Sequence, residues 1–271
     1  MTAWTDASPR ELADALKTAL LLSYEPVGVR LFRDRAGFDA SPLPRPDSPL
    51  SYCAAVRTAA LGGALKLDRD DIACDTSPRT LGLEPGFRDE EFVRTYVTCG
   101  LYRDREAATS VLAGVAILSD TAGVAVAPLA RFETCSPPDV VIVPISPYGA
   151  MRIVQALAYR GDTVHSASIG MHGICAECTA RPHATGDVSV SLLCSGTRHV
   201  AGWEEGLMAA GMPMARVPGV VAGLVDTAER YEPDGRKAEM KAACRSGAPT
   251  LVRAPVDRLT AGEGYFCEQK R

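Results

Sequence analysis

The sequence has little that would betray a familiar chemistry. No run of Lys or Arg stands out, and the net charge is −4. Nucleic-acid and anionic-membrane surfaces need a dense basic patch, so neither partner is expected. There is no GxxxxGK(S/T), no HExxH, no GxSxG elbow and no GxGxxG placed after a strand. Nucleotide hydrolysis, zincin proteolysis and serine-esterase chemistry therefore have no support in the sequence. Long apolar runs are missing too. The most apolar stretch, Ala107 to Leu129, is broken by Ser119-Asp120-Thr121-Ala122-Gly123, which predicts a turn between two strands and not a membrane span. Ser8-Pro9-Arg10-Glu11 reads as a helix start, not as a secretion signal. A cytoplasmic location is expected.

Against that background nine cysteines stand out: Cys53, Cys74, Cys99, Cys135, Cys175, Cys178, Cys194, Cys244 and Cys267. A reducing compartment keeps thiols free, so clustered cysteines point to metal binding or catalysis before disulfides. Free cysteine also serves as a small core residue. Cys99, Cys135 and Cys244 are read that way, and Cys267 as incidental to a terminal tail.

The chain of 271 residues is long enough for a substantial core and is read as one domain, 1–271, with an internal seam near 130–138. Leu12, Ala15, Leu16, Ala19 and Leu20 share one face of a helix over 9–23. Pro26 to Phe32 reads as a strand, and Cys53 to Ala60 as a helix ending at Gly62-Gly63. A helix is expected over 88–108, then a hairpin over 111–129. The continuous apolar run Asp139 to Pro144 reads as a strand buried on both faces. A helix over 148–160 should turn Met151, Val154, Leu157 and Ala158 inward. Alternation over 188–193 predicts a strand, and helices are expected over 203–210, 219–231 and 235–245. Strand–helix alternation of this kind indicates an α/β fold, with a mixed or mostly parallel sheet and flanking helices.

The cysteines repeat. Cys53 and Cys74 are separated by twenty residues, Cys175 and Cys194 by eighteen. Each pair follows a strand led by proline, Pro26-Val27-Gly28-Val29 or Pro138-Asp139-Val140-Val141-Ile142. This is a weak internal repeat. Were the halves related by a pseudo-two-fold axis, four thiolates would surround one point. Such a set suits zinc or iron–sulfur iron. Structural zinc usually uses two tight knuckles, and only one tight pair is present, Cys175-Ala176-Glu177-Cys178. Scattered loop cysteines favour an enzyme-bound 4Fe–4S cluster. A closed Zn(Cys)4 structural or sensor site and a metal-free Cys175/Cys178 dithiol remain alternatives. Cys178 is open to reading as a further ligand, a resolving thiol or core.

The neighbours of the second pair are rich in glycine and hydrogen-bonding groups: His172-Gly173-Ile174-Cys175 and Cys194-Ser195-Gly196-Thr197-Arg198-His199. Glycine lets backbone approach a cluster closely. Arg198 is a candidate to balance cluster charge or hold an anionic substrate, with a surface role as the even alternative. His172 and His199 are candidates for proton transfer or as alternative ligands. His165 and His183 are read as structural, and Glu177, Glu204 and Glu205 as solvated helix-face charges.

Read in order, Pro26-Val27-Gly28-Val29, Cys53, Cys74 with Leu81-Gly82-Leu83, Ala127-Pro128-Leu129, Pro138 to Ile142, Met151-Arg152 with Gln155-Ala156, Cys175-Ala176-Glu177 and Cys194 to Arg198 resemble the DUF169 family of bacterial and archaeal proteins. The family's recurrent cysteines fall on Cys53, Cys74, Cys175 and Cys194. The resemblance implies a shared metal site, with iron–sulfur the favoured content. Asp75-Thr76-Ser77-Pro78 stands where members often carry a Gly-rich turn, and Cys178 is particular to this chain. The expectation is an iron–sulfur protein acting on a small molecule as an oxidoreductase, lyase or sulfur transferase. An electron-transfer partner and self-association are compatible with it.

Overall fold

The computed structural model describes residues 4–162, 166–168 and 172–245. His165 and Cys267 lie outside the described residues, as does the side chain of Cys244.

Helix α1 (Pro9–Leu20) starts on a full capping box: Ser8 accepts from the Glu11 amide, and the Glu11 carboxylate accepts from the Ser8 amide at 2.8 Å. Its apolar face is buried at Leu12, Ala15, Leu16, Ala19 and Leu20. Then follow β1 (Val27–Phe32), α2 (Arg35–Ala40), α3 (Tyr52–Ala60), β2 (Leu65–Leu67), α4 (Thr76–Thr80), α5 (Glu90–Thr98), α6 (Arg105–Ala113) and β3 (Gly123–Pro128). The second half runs β4 (Val140–Ile145), α7 (Pro147–Tyr159), β5 (Ser166–Ser168), a π-helical segment Gly173–Ala180, α8 (Arg181–Thr185), β6 (Ser189–Ser191), α9 (Ser195–His199) and β7 (Met208–Pro213). Helices α10 (Val217–Tyr231) and α11 (Asp234–Arg245) close the described chain. None of the described helices is long and apolar enough to cross a membrane.

All strands join one sheet in the order β2-β3-β1-β4-β7-β6-β5. The α/β expectation holds, but the mostly parallel sheet does not. Among the described strands every pairing is antiparallel except the short β5–β6 contact. Burial of β4 on both faces suggested a parallel strand. Here an antiparallel strand is buried because helices cover both faces of the sheet. Val141, Val143 and Ile145 meet the core under α1, α7 and α10, whereas Val140 and Ile142 meet the core under α3 and the π segment.

The repeat is plain in the topology. Strand β3 packs beside β1 with Val27 opposite Pro128, and β7 beside β4 with Val140 opposite Pro213. Outside these, β2 pairs with β3 (Leu65 opposite Val126) and β6 with β7 (Ser189 opposite Gly211) in the same register. Proline ends both β3 and β7, and a 3₁₀ turn follows each, Leu129–Arg131 and Met214–Arg216. The halves meet where β1 and β4 pair antiparallel, Gly28 opposite Val141, so a local two-fold passes through that pair. The sheet continues across the 130–138 connection.

Four local readings need correction. The helix expected over 88–108 is two helices, broken at Gly100 in left-handed backbone (φ 72°). The hairpin over 111–129 has one strand only, since residues 111–113 end α6. The helix expected over 203–210 gives way to β7, because small Ala209, Ala210 and Gly211 pair into the sheet and admit the π segment against it. On α7, Met151, Val154 and Ala158 face outward, and Ala150, Ile153, Ala156 and Leu157 face inward. Arg152 is the cause. It is fully buried, with its Nε 2.5 Å from Glu232 and its Nη2 3.0 Å from Thr227. A pattern that puts arginine outside rotates the helix the wrong way.

Gly211 is where the π segment rests on the sheet: a Cβ there would stand 2.2 Å from the Cys178 carbonyl oxygen. Backbone cannot yield as a side chain can. Gly211→Ala is expected to destabilise the fold by about 1–3 kcal/mol in denaturant titration. Gly206→Ala, which meets nothing within 4 Å, should fall within about 0.5 kcal/mol of the parent.

Candidate metal centre

Each half delivers one cysteine on a helix and one from the loop after its short outer strand. Cys53 sits in the first turn of α3, whose N-cap Ser51 accepts from the Ala54 amide at 3.2 Å. Cys175 lies in the π segment, a wide turn of the kind that recurs at functional sites. Cys74 follows β2 and precedes α4. Cys194 follows β6 and caps α9, its Sγ accepting from the Thr197 amide at 3.4 Å. All four line one cavity of about 330 Å3 on the α3 side of the sheet.

The approach of the second pair depends on two backbone features. A Cβ on Gly173 would stand 2.8 Å from the Cys194 amide nitrogen, so only glycine lets the Cys175 segment lie against Cys194. Leu193 has φ 66°, a strained value for a bulky residue, and its amide donates to Ser191 Oγ at 2.9 Å. That strain sits immediately before a cavity cysteine.

The thiols are coupled to one another. Burial, and then the nearby Cys175 and Cys194, push the Cys53 thiol well up; burial, with Cys194 and Cys74, pushes Cys175 up to about 12. Among the described residues, no three His, Cys, Asp or Glu side chains stand close enough to share a single metal ion.

The rest of the cavity wall carries no formal charge. Ser51, Thr76, Ser195, Gly196, Leu101, Val200, Tyr96 and His172 complete it with Ser77 and Thr197. Tyr96 and Thr76 share a hydrogen bond of 2.6 Å, and desolvation holds the Tyr96 hydroxyl well above the usual phenol range. Nothing in the sequence marked Tyr96, because the helix carrying it is part of an insert with its own small core, Phe87, Phe92, Tyr96 and Tyr102 among it. His172 packs edge-on to Phe87 and Tyr96, and desolvation lowers its pKa to about 4.

The other sequence candidates are placed elsewhere. Arg198 donates to the Glu204, Leu192 and Leu207 carbonyls at 2.7, 2.7 and 2.9 Å and does not line the cavity. His199 is exposed at the end of α9. Cys178 is fully buried over Gly211 and does not line the cavity. Cys99 and Cys135, read as core, are exposed, one at the end of α5 and the other in the loop before β4. Glu177, read as solvated, is buried and bonded to Ser191 Oγ and, at 3.4 Å, to the His172 amide. His183 pairs with Arg33 at 2.8 Å, away from the cavity.

Comparison with known proteins bears out the family resemblance. The profile of the DUF169 family, described as uncharacterised ArCR, matches residues 15–223. The chain belongs to the DUF169 family. Its matched span takes in all four cavity cysteines, Tyr96 and His172. A relative in Methanocaldococcus jannaschii, the uncharacterized protein MJ0308, is 26% identical over 133 residues, covering 48% of this chain and 56% of that one. The chain thus spans little more than half the length of that relative. No solved structure gives a significant match.

The His172 environment makes a pH prediction. Below about 6.5 the unfolded chain takes up a proton that the folded chain refuses until about pH 4. The contribution is present above 6.5 and lost as pH falls to 4, amounting to roughly 3 kcal/mol. His172→Gln should flatten the fall of unfolding free energy across that window. An unchanged slope would mean that His172 titrates freely in the folded protein.

Proposed function

We propose that this protein carries a 4Fe–4S cluster on Cys53, Cys74, Cys175 and Cys194 and uses it as an enzyme on a small molecule. The observation that carries the reading is the convergence of two cysteines from each half on one cavity. The donor set fits. Four soft sulfur ligands meet in a wall without carboxylates, and a cationic centre would relieve the cost of deprotonating thiols that burial keeps protonated. A zinc tetrahedron needs all its sulfurs about 2.3 Å from one ion. The described side chains offer no such tight group, whereas a cluster spreads its ligands over several irons. That difference favours the cluster over closed zinc. Cys178, held off the cavity, gives the dithiol reading little support.

Such a cluster supplies electron transfer when four cysteines cap it, or an open iron as Lewis acid or sulfide carrier when three do. The chain's own residues define the remainder. His172 and Tyr96 are uncharged near neutral pH and offer a hydrogen-bonding, aromatic wall to a substrate. Leu101 and Val200, both exposed at the cavity, form an apolar lip. In this reading Arg198 is a structural tie for the loop before β7.

Oxygen-free purification tests the proposal. Brown protein with bound iron and acid-labile sulfide is expected. Cys53→Ser or Cys194→Ser should lower the iron content sharply, and Cys99→Ser should leave it unchanged. Colourless protein with one zinc per chain would favour the closed zinc site. Metal-free folded protein with a reactive vicinal dithiol would favour Cys175/Cys178.

A further inference from the structure

Two buried hydroxyls occupy equivalent places in the two halves. Ser77 follows Cys74 by three residues, and Thr197 follows Cys194 by three. Both are essentially inaccessible to solvent, at 1% and 0%. Buried hydroxyls need hydrogen-bond partners, and these find sulfur. Thr197 Oγ1 lies 3.1 Å from Cys194 Sγ in its own half and 3.3 Å from Cys53 Sγ in the other, where it donates. In the first half Ser77 Oγ accepts from Cys74 Sγ at 3.0 Å, and Ser77 lines the cavity together with the Cys175 thiol of the other half.

Each hydroxyl has one proton and spare lone pairs. Thr197 gives its proton to Cys53 across the axis, which leaves its lone pairs for the Cys194 thiol. Ser77 accepts from Cys74 in the matching way, and the counterpart of Cys53 for its own proton is Cys175. The two-fold repeat of the sheet therefore extends to the hydroxyl beside each loop cysteine.

We propose that Ser77 and Thr197 are matched positioning residues that tie the thiols of the two halves together and set the reduction potential of the centre they hold. The potential part rests on the cluster reading above; the tie itself rests on the geometry alone. A hydrogen bond to a ligating sulfur favours the more negative, reduced state, so its loss lowers the potential.

The experiment compares Thr197→Val, Ser77→Ala, the double variant and Thr197→Ser with the parent, all as full chains. Two readouts are taken: the midpoint potential of iron- and sulfide-loaded protein, and the Raman S–H stretching bands of reduced, metal-free protein. Thr197→Val and Ser77→Ala should each lower the potential, the double variant by about their sum, and Thr197→Ser should keep the parent value. In metal-free protein each removal should move the S–H band of the donating thiol to higher frequency, Cys194 for Thr197→Val and Cys74 for Ser77→Ala. If Thr197→Val does not fold, Ser77→Ala decides the matter by the same criteria. Unmoved S–H bands overturn the tie whether or not a cluster forms. Moved bands with an unmoved potential overturn the tuning. A parent that takes up no iron overturns the cluster reading and the tuning with it, and the Raman bands then decide the tie.

Discussion

The antiparallel contact between β1 and β4 organises this protein. With Gly28 opposite Val141, the two strands make a local two-fold at the centre of the sheet, and each half repeats the same pairing outward from it. The cysteines lie at matching points of the repeat, so closing the sheet brings them to one side of it. Gly28 leaves room there for the Phe132 ring of the connection between halves, which would stand 2.4 Å from a Cβ at that position.

Around that axis the molecule accepts several local costs at the thiols. Leu193 is held in left-handed backbone, Cys53 and Cys175 are buried among other thiols, and the π segment presses on the Gly211 backbone. Backbone strain and burial-shifted ionisation of this kind collect at functional sites. One difference between the halves bears on the site. The first carries the α5–α6 insert, which brings Tyr96 and Leu101 to the cavity and meets His172 of the second half. A symmetric thiol set thus opens into an asymmetric pocket.

Much of this was legible in the residues. Proline-led strands and the matched cysteine spacing announced the duplication, and the capping box of α1 and the apolar face behind it stood in plain view. The sheet's direction was not, because helices on both faces bury an antiparallel strand as fully as a parallel one. The inward face of α7 was hidden by Arg152, whose partner Glu232 lies eighty residues on. Tyr96 and the two hydroxyls carry no motif; they matter only through contacts made across the fold. Arg198 invited a functional reading from its place beside Cys194, yet three of its guanidinium donors are taken by backbone carbonyls.

The most direct test is anomalous diffraction at the iron edge from crystals grown without oxygen. One compact iron centre within bonding reach of Cys53, Cys74, Cys175 and Cys194 is the expected result. Iron held by the cysteines of only one half, or lying outside this cavity, would contradict the account.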